Sequence, residues 1–193
     1  MSPAISLIVI AVVAMLGVYV SWRAGRIDRL HYRVETTHAS LDAALVRRSS
    51  VALEFAASGL LDPATSLLLA DSAHAARSDG DGRELAGREL AESDLSRTLR
   101  TILSQPDFGA SLHGREGARE LLRELEATAQ QVFLARKFYN DAVAVTVAAR
   151  HRWLVRLLRL AGNAPMPEFF EIDDLVTPAG TDQHGTDMPH LAT

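Results

Sequence analysis

Between Ala118 and Trp153 the apolar positions recur at alternating steps of three and four: Ala118, Leu121, Leu125, Thr128, Val132, Ala135, Tyr139, Ala142, Thr146, Ala149 and Trp153. Such a heptad seam belongs to a long helix that buries one stripe against other helices. The pattern predicts one helix from about Glu116 to Leu160, roughly 65 Å long at about 1.5 Å per residue. It should end at Ala161-Gly162-Asn163, where Gly or Asn takes the left-handed cap. Larger residues (Leu125, Val132, Tyr139, Trp153) alternate with small ones (Thr128, Ala135, Ala142, Ala149). Small positions let helix axes approach, so this helix is expected at the centre of an antiparallel bundle of three to four long helices, an all-α fold. A parallel coiled-coil dimer would want Leu, Ile or Val at most of these positions, and the Ala and Thr argue against it.

The other elements are read as what packs on this rod and what ties it to a membrane. Residues 4–22 are an uncharged apolar run of 19, enough to cross a hydrocarbon layer of ~30 Å as a helix. Tyr19 and Trp22 close it, and Arg23, Arg26 and Arg29 follow. The N-terminal flank, residues 1–3, is Met-Ser-Pro. The positive-inside rule places that short flank outside and the body in the cytoplasm of a single-pass cell-membrane protein. A cleaved signal peptide would want a basic leading region and a small-residue cleavage site, and neither is present.

No Pro or Gly falls between Arg26 and Ser58. The spanning helix is therefore expected to continue as a stalk and as the first bundle helix, ending at Gly59. Ile27, Leu30, Val34, Leu41, Leu45 and Phe55 form its apolar stripe, with Arg29, Arg33, Arg47 and Arg48 assigned to other faces. Asp62-Pro63 restarts a helix as cap and first position. Its residues Leu67, Leu68, Leu69, Ala70 and Ala73 should be covered. A second helix over Glu84 to Gln105 should turn Leu95, Leu99, Ile102 and Leu103 inward. The body, 23–164, is followed by an extended aromatic arm, 165–176, and an acidic tail, 177–193, expected to be disordered. Phe169 and Phe170 are expected to fold back on the helices or to meet a partner.

Charge narrows the function classes. Residues 165–193 carry six acids and no Lys or Arg. The remaining 18 acids face 20 bases, so the body is near +2 and the tail near −6. That balance gives no support to nucleic-acid binding. The absence of cysteine excludes disulfides, thiolate metal sites and thiol catalysis.

Two blocks resemble the LemA family of bacterial membrane proteins. The first is Leu30-His31-Tyr32-Arg33-Val34 with Leu41-Asp42-Ala43-Ala44-Leu45-Val46-Arg47-Arg48. It is similar to the family's L-x-x-R-V and L/I-D-x-x-L-x-R-R after an N-terminal membrane helix. The second is Ala135-Arg136-Lys137-Phe138-Tyr139-Asn140-Asp141-Ala142-Val143, with Phe169-Phe170-Glu171 after it. It is similar to A-R-x-x-Y-N-x-A-V and a terminal F-F-E. Order and spacing agree over about residues 5–172. The chain departs from the pattern at Ser49 to Leu53, where the family has I-P-N-L-V, and at His151 to Leu160, where it lacks a Phe-Pro. The resemblance implies an N-terminal anchor and an all-helical cytoplasmic body; it carries no settled activity.

Candidate chemistry is sparse. Glu35-x-x-His38, with His31 one turn earlier, has the spacing of di-iron helical bundles but lacks the second Glu-x-x-His such sites need. Asp107-Phe108-Gly109 and Asp79-Gly80-Asp81-Gly82 spell fragments of a kinase and a calcium motif without the rest of either. His184 and His190 lie in the tail, and no context groups a catalytic Ser, His and Asp. Asn140 and Asp141 interrupt the surface beside the seam residue Tyr139. Asn140 or Tyr139 is expected to hydrogen-bond to the first helix at Arg33, Asp42 or Arg47 and fix register, or to form a docking surface. Arg150, Arg152, Trp153, Arg156 and Arg159 make a basic amphipathic end suited to anionic lipid or to a solvated last turn.

These features favour a non-catalytic, membrane-tethered scaffold or adaptor, with no cofactor. Its expected partners are another membrane or membrane-associated protein, or itself, and the lipid bilayer. A helical-bundle metalloprotein using Glu35 and His38, or a membrane-shaping protein acting through the basic end, are the alternatives.

Overall fold

The computed structural model describes residues 3–78, 85–106, 108, 112, 114–151 and 165–173. The described chain is all-helical apart from turns and one extended segment, with no strand among the described residues. The helices are α1 (Pro3–Ala57), α2 (Pro63–Ser78), α3 (Leu85–Leu103) and α4 (Ala118–Arg150).

α1 is continuous over 55 residues, as the lack of helix breakers after Arg26 requires. It contains an apolar window long enough to cross a membrane, and none of that window is covered by the rest of the chain. Gly59 ends α1 with φ 71°, a conformation that costs glycine little. Asp62 then caps α2: its Oδ1 accepts the backbone N–H groups of Ala64 and Thr65, both at 3.1 Å. A side-chain hydrogen bond with Thr65, ahead of these backbone bonds, holds its carboxyl below the usual value. The turn into α4 uses two further positive-φ glycines, Gly114 and Gly117. Described α4 ends at Arg150; the expected continuation to Leu160 and its cap lie outside the described residues, as does the expected loop over 79–82.

The seam of α4 is the buried face. Ala118, Leu125, Thr128, Val132, Tyr139, Ala142 and Thr146 are all buried, and Leu121, Ala135 and Ala149 half-buried. Thr128 and Thr146 return their hydroxyl protons to Leu125 and Ala142 carbonyls, so they enter the core without an unmet donor. The core has two parts. One joins Val51, Ala52 and Phe55 of α1 to Leu69 and Ala73 of α2, Leu95, Leu99 and Ile102 of α3, and Leu125 of α4. Phe108 closes its end, edge-on to Phe55 with ring centroids 6.3 Å apart. The other joins Leu41, Ala44 and Leu45 of α1 to Val132, Tyr139 and Val143 of α4, with Phe170 and Ile172 from the arm. His38 meets Tyr139, while Arg47 meets Glu124, so α1 and α4 run in opposite directions where they touch.

Three expectations are corrected. Arg48 is not on an outer face: it is 2% exposed, and its guanidinium pairs with the carboxylate of Glu92, itself 1% exposed, on α3. The same guanidinium donates to Ser96 Oγ at 3.0 Å. Both ions sit on their helices' inward stripes, Leu41-Leu45-Arg48-Ala52-Phe55 and Arg88-Glu92-Leu95-Leu99-Ile102. On α2 only Leu69, Ala73 and Ala76 are buried, and Leu67 and Leu68 face outward, because a 16-residue helix offers one narrow stripe to its neighbours. Leu103 at the end of α3 is also exposed.

Candidate functional site

Of the sequence-predicted residues, Tyr139, Asn140, Arg150 and Phe170 meet where α4 touches the arm, residues 165–173. Alternation governs this extended segment: Phe170 and Ile172 are buried, while Phe169 and Glu171 face out. Each side of its backbone is held by a different helix.

On the α4 side, the Asn140 carboxamide forms a two-point clamp. Its Nδ2 donates to the Phe170 carbonyl at 3.0 Å, and its Oδ1 accepts the Phe170 N–H at 2.9 Å. One turn-edge earlier, the Tyr139 hydroxyl donates to the Glu168 carbonyl at 2.8 Å. At the end of α4, Arg150 Nη1 donates to the Pro165 carbonyl at 2.7 Å. On the α3 side, the Glu171 N–H donates to Glu89 Oε1 at 2.7 Å and the Asp173 N–H to Ser93 Oγ at 3.1 Å. Arg100 Nη2 donates to the Asp173 carbonyl at 3.1 Å, and the Asp173 carboxylate lies near both Arg97 and Arg100. The arm thus lies between α3 and α4, with the N–H groups of Phe170, Glu171 and Asp173 bonded to side chains of these two helices.

Tyr139 sits in this arrangement with its ring edge-on to His38, centroids 5.5 Å apart. Burial, then the nearby charges of Glu168, Asp42 and Glu89, push its phenol above the ordinary value. His38 Nδ1 lies 3.1 Å from Asp42 Oδ2, and Arg88 Nη1 lies 2.7 Å from Asp42 Oδ1.

The structure therefore reassigns the expected partners. Asn140 and Tyr139 bond to the arm and not to Arg33, Asp42 or Arg47. The reason is reach: the arm's backbone occupies the space beside both side chains. Asp42 and Arg47 tie α1 to its neighbours by other routes, through Arg88 and through Glu124 at 2.9 Å. Arg33 and Asp141 are exposed, and Phe169 is 46% exposed beside the clamp. Glu35 is exposed, and no group of three or more potential metal ligands forms among the described residues. Of the basic amphipathic end only Arg150 is described; Arg152, Trp153, Arg156 and Arg159 lie outside the described residues, as do Asp107, Gly109 and both tail histidines.

Sequence reasoning missed Glu89, Ser93 and Arg100 as arm holders, and the Arg48–Glu92 pair. The pair had a signal: a charged residue at a seam position on each of two helices. The arm holders had none, since polar residues on one face of α3 read as solvent-facing. Comparison with protein-family models, with curated proteins and with solved structures finds no match for this chain.

Proposed function

We propose that the chain is a LemA-like, single-pass membrane protein whose four helices form an antiparallel cytoplasmic bundle, and that it acts as a non-catalytic scaffold or adaptor. The observation that carries this reading is the Asn140 clamp on Phe170. The polar side chains gathered here, Tyr139, Asn140, Glu89, Ser93 and Arg100, are engaged with arm backbone. Their geometry builds a surface, and it leaves Phe169 pointing outward on a firmly held segment. Rigidly presented aromatics suit protein recognition, because little side-chain freedom remains to be lost on binding. The outer side of α4 adds Leu134, Phe138 and Val145, all exposed and opposite its buried seam. The uncovered apolar window of α1 and the arginines that follow it support a membrane tether with the helices inside.

The test is crosslinking of the full-length protein in its native membrane, followed by identification of what is attached. A recurrent, near-stoichiometric partner, or the protein itself, is expected. Recovery of uncrosslinked monomer alone counts against the reading.

A further inference from the structure

We propose that Arg26, Arg29 and Arg33, below Trp22 on one stripe of α1, form a binding surface for anionic phospholipid headgroups. This goes beyond the scaffold reading and rests on its membrane tether alone. The four residues follow at steps of four, three and four, and so share roughly 60° of arc at about 100° per residue. All four are exposed. The packed face of α1 lies to one side, at buried Ile27 and half-buried Leu30 and Val34, roughly 100° around the helix. Asp28 and Glu35 lie to the other side, roughly 140° away. Among residues 25–35, bases and acids are thus sorted onto different faces.

The three arginines also differ from those deeper in the body. Arg47, Arg48, Arg88, Arg97 and Arg100 each lie against a carboxylate. Arg26, Arg29 and Arg33 meet none among the described residues, and Arg29 Nε donates instead to the Gly25 carbonyl at 3.1 Å. No acid stands three or four positions from any of them, so α1 offers no local partner. Depth selects the occupant. At about 1.5 Å per residue, Arg26, Arg29 and Arg33 lie about 6, 10 and 16 Å below Trp22, which closes the apolar run. The headgroup layer is roughly 5–8 Å thick on each side of the hydrocarbon. Arg26 and Arg29 reach it by extending their side chains upward. Arg33 lies within about one Debye length, ~8–10 Å, of its lower edge. A protein partner would have to displace lipid to reach the upper part of the stripe.

Trp22 reports on the lipid beside the stripe. The chain has two tryptophans, so Trp153→Phe leaves Trp22 as the single indole. This full-length protein is reconstituted in phosphatidylcholine vesicles holding a small fixed share of brominated lipid, either phosphatidylglycerol or phosphatidylcholine, and quenching of Trp22 is measured. A base near an anionic surface is worth about a fivefold gain in association. The expected result is a preference of about fivefold or more for the brominated anionic lipid, falling to near parity in Arg26→Gln/Arg29→Gln/Arg33→Gln. These positions are exposed, so the packed face of α1 stays intact. Arg119→Gln/Arg123→Gln, at the start of α4 beside the far end of α1, should keep the preference. Equal quenching by the two lipids in the native stripe overturns the proposal, as does a preference that survives the triple change or is lost equally in the α4 variant. Quenching by neither lipid would mean that Trp22 is not at a membrane, and would overturn the tether reading as well.

Discussion

Asn140 holds Phe170 by both of its backbone groups, donating to the carbonyl at 3.0 Å and accepting from the N–H at 2.9 Å. One carboxamide thus does for the arm what a neighbouring strand would do. Its geometry makes the residue specific. Asn140→Ala strands a half-buried N–H and C=O and is expected to cost about 1–3 kcal/mol. Asn140→Asp keeps the acceptor, loses the donor and sets a charge against the Phe170 carbonyl, so it should be no better than Ala. Chemical denaturation of the three proteins, with amide exchange at Phe170, checks both statements.

The two adjacent phenylalanines should separate cleanly. Phe170 is 2% exposed within the α1–α4 core, and its replacement by Ala is expected to cost about 3–5 kcal/mol. Phe169→Ala should shift stability by no more than about 0.5 kcal/mol. Because Phe169 belongs to the proposed partner surface, its loss should reduce crosslinked product while the melting transition stays in place. Equal destabilisation by the two substitutions would contradict the assigned alternation.

The buried pair Arg48–Glu92 makes an opposite pattern of single and double changes. Glu92→Ala leaves a guanidinium buried without its carboxylate and is expected to cost about 3–5 kcal/mol. Arg48→Met with Glu92→Leu removes both charges and should be near neutral or stabilising relative to the native chain. Thermal melts of the single and double variants read the difference. A double variant as unstable as the single would mean that the pair contributes net stability.

Tyr139 gives the fold an alkaline limit. Its phenol ionises at a higher pH in the folded chain than the ordinary 10.0, because burial and then Glu168 disfavour the phenolate. The folded state therefore prefers the protonated form. That contribution is fully present below pH ~10 and is lost as pH rises through the raised folded value. The phenolate can no longer donate to the Glu168 carbonyl, so the arm should loosen over the same range. Tyr139→Phe should be weaker at neutral pH by about 1 kcal/mol, and its stability should be flatter above pH 10. Parallel pH curves for the two proteins would exclude the phenol as the cause.

Periodicity made the helices legible. The α4 seam from Ala118 to Ala149, the unbroken α1 and the Asp62 cap were all written in residue spacing, because helix burial repeats every three or four residues. What periodicity hid was any interaction not made by a helix face. The arm has too few residues to show a period, and Asn140 reaches 30 positions along the chain to Phe170. Arg48 is hidden for a related reason: its charge points to the surface, although its spacing from Leu41, Leu45, Ala52 and Phe55 puts it on the stripe. Leu67 and Leu68 are the opposite case: they read as core yet face outward, since a run of three leucines cannot all face one side of a helix.

The most direct test of the scaffold reading replaces Phe169 with a photoreactive aromatic residue in the full-length protein and irradiates intact membranes. A second chain with the same probe at Glu54, on an exposed face of α1, serves as the reference. The account predicts one recurrent adduct from position 169, to a single partner protein or to a second copy, and no such adduct from position 54. No adduct at 169, or the same diffuse set from both positions, would contradict it.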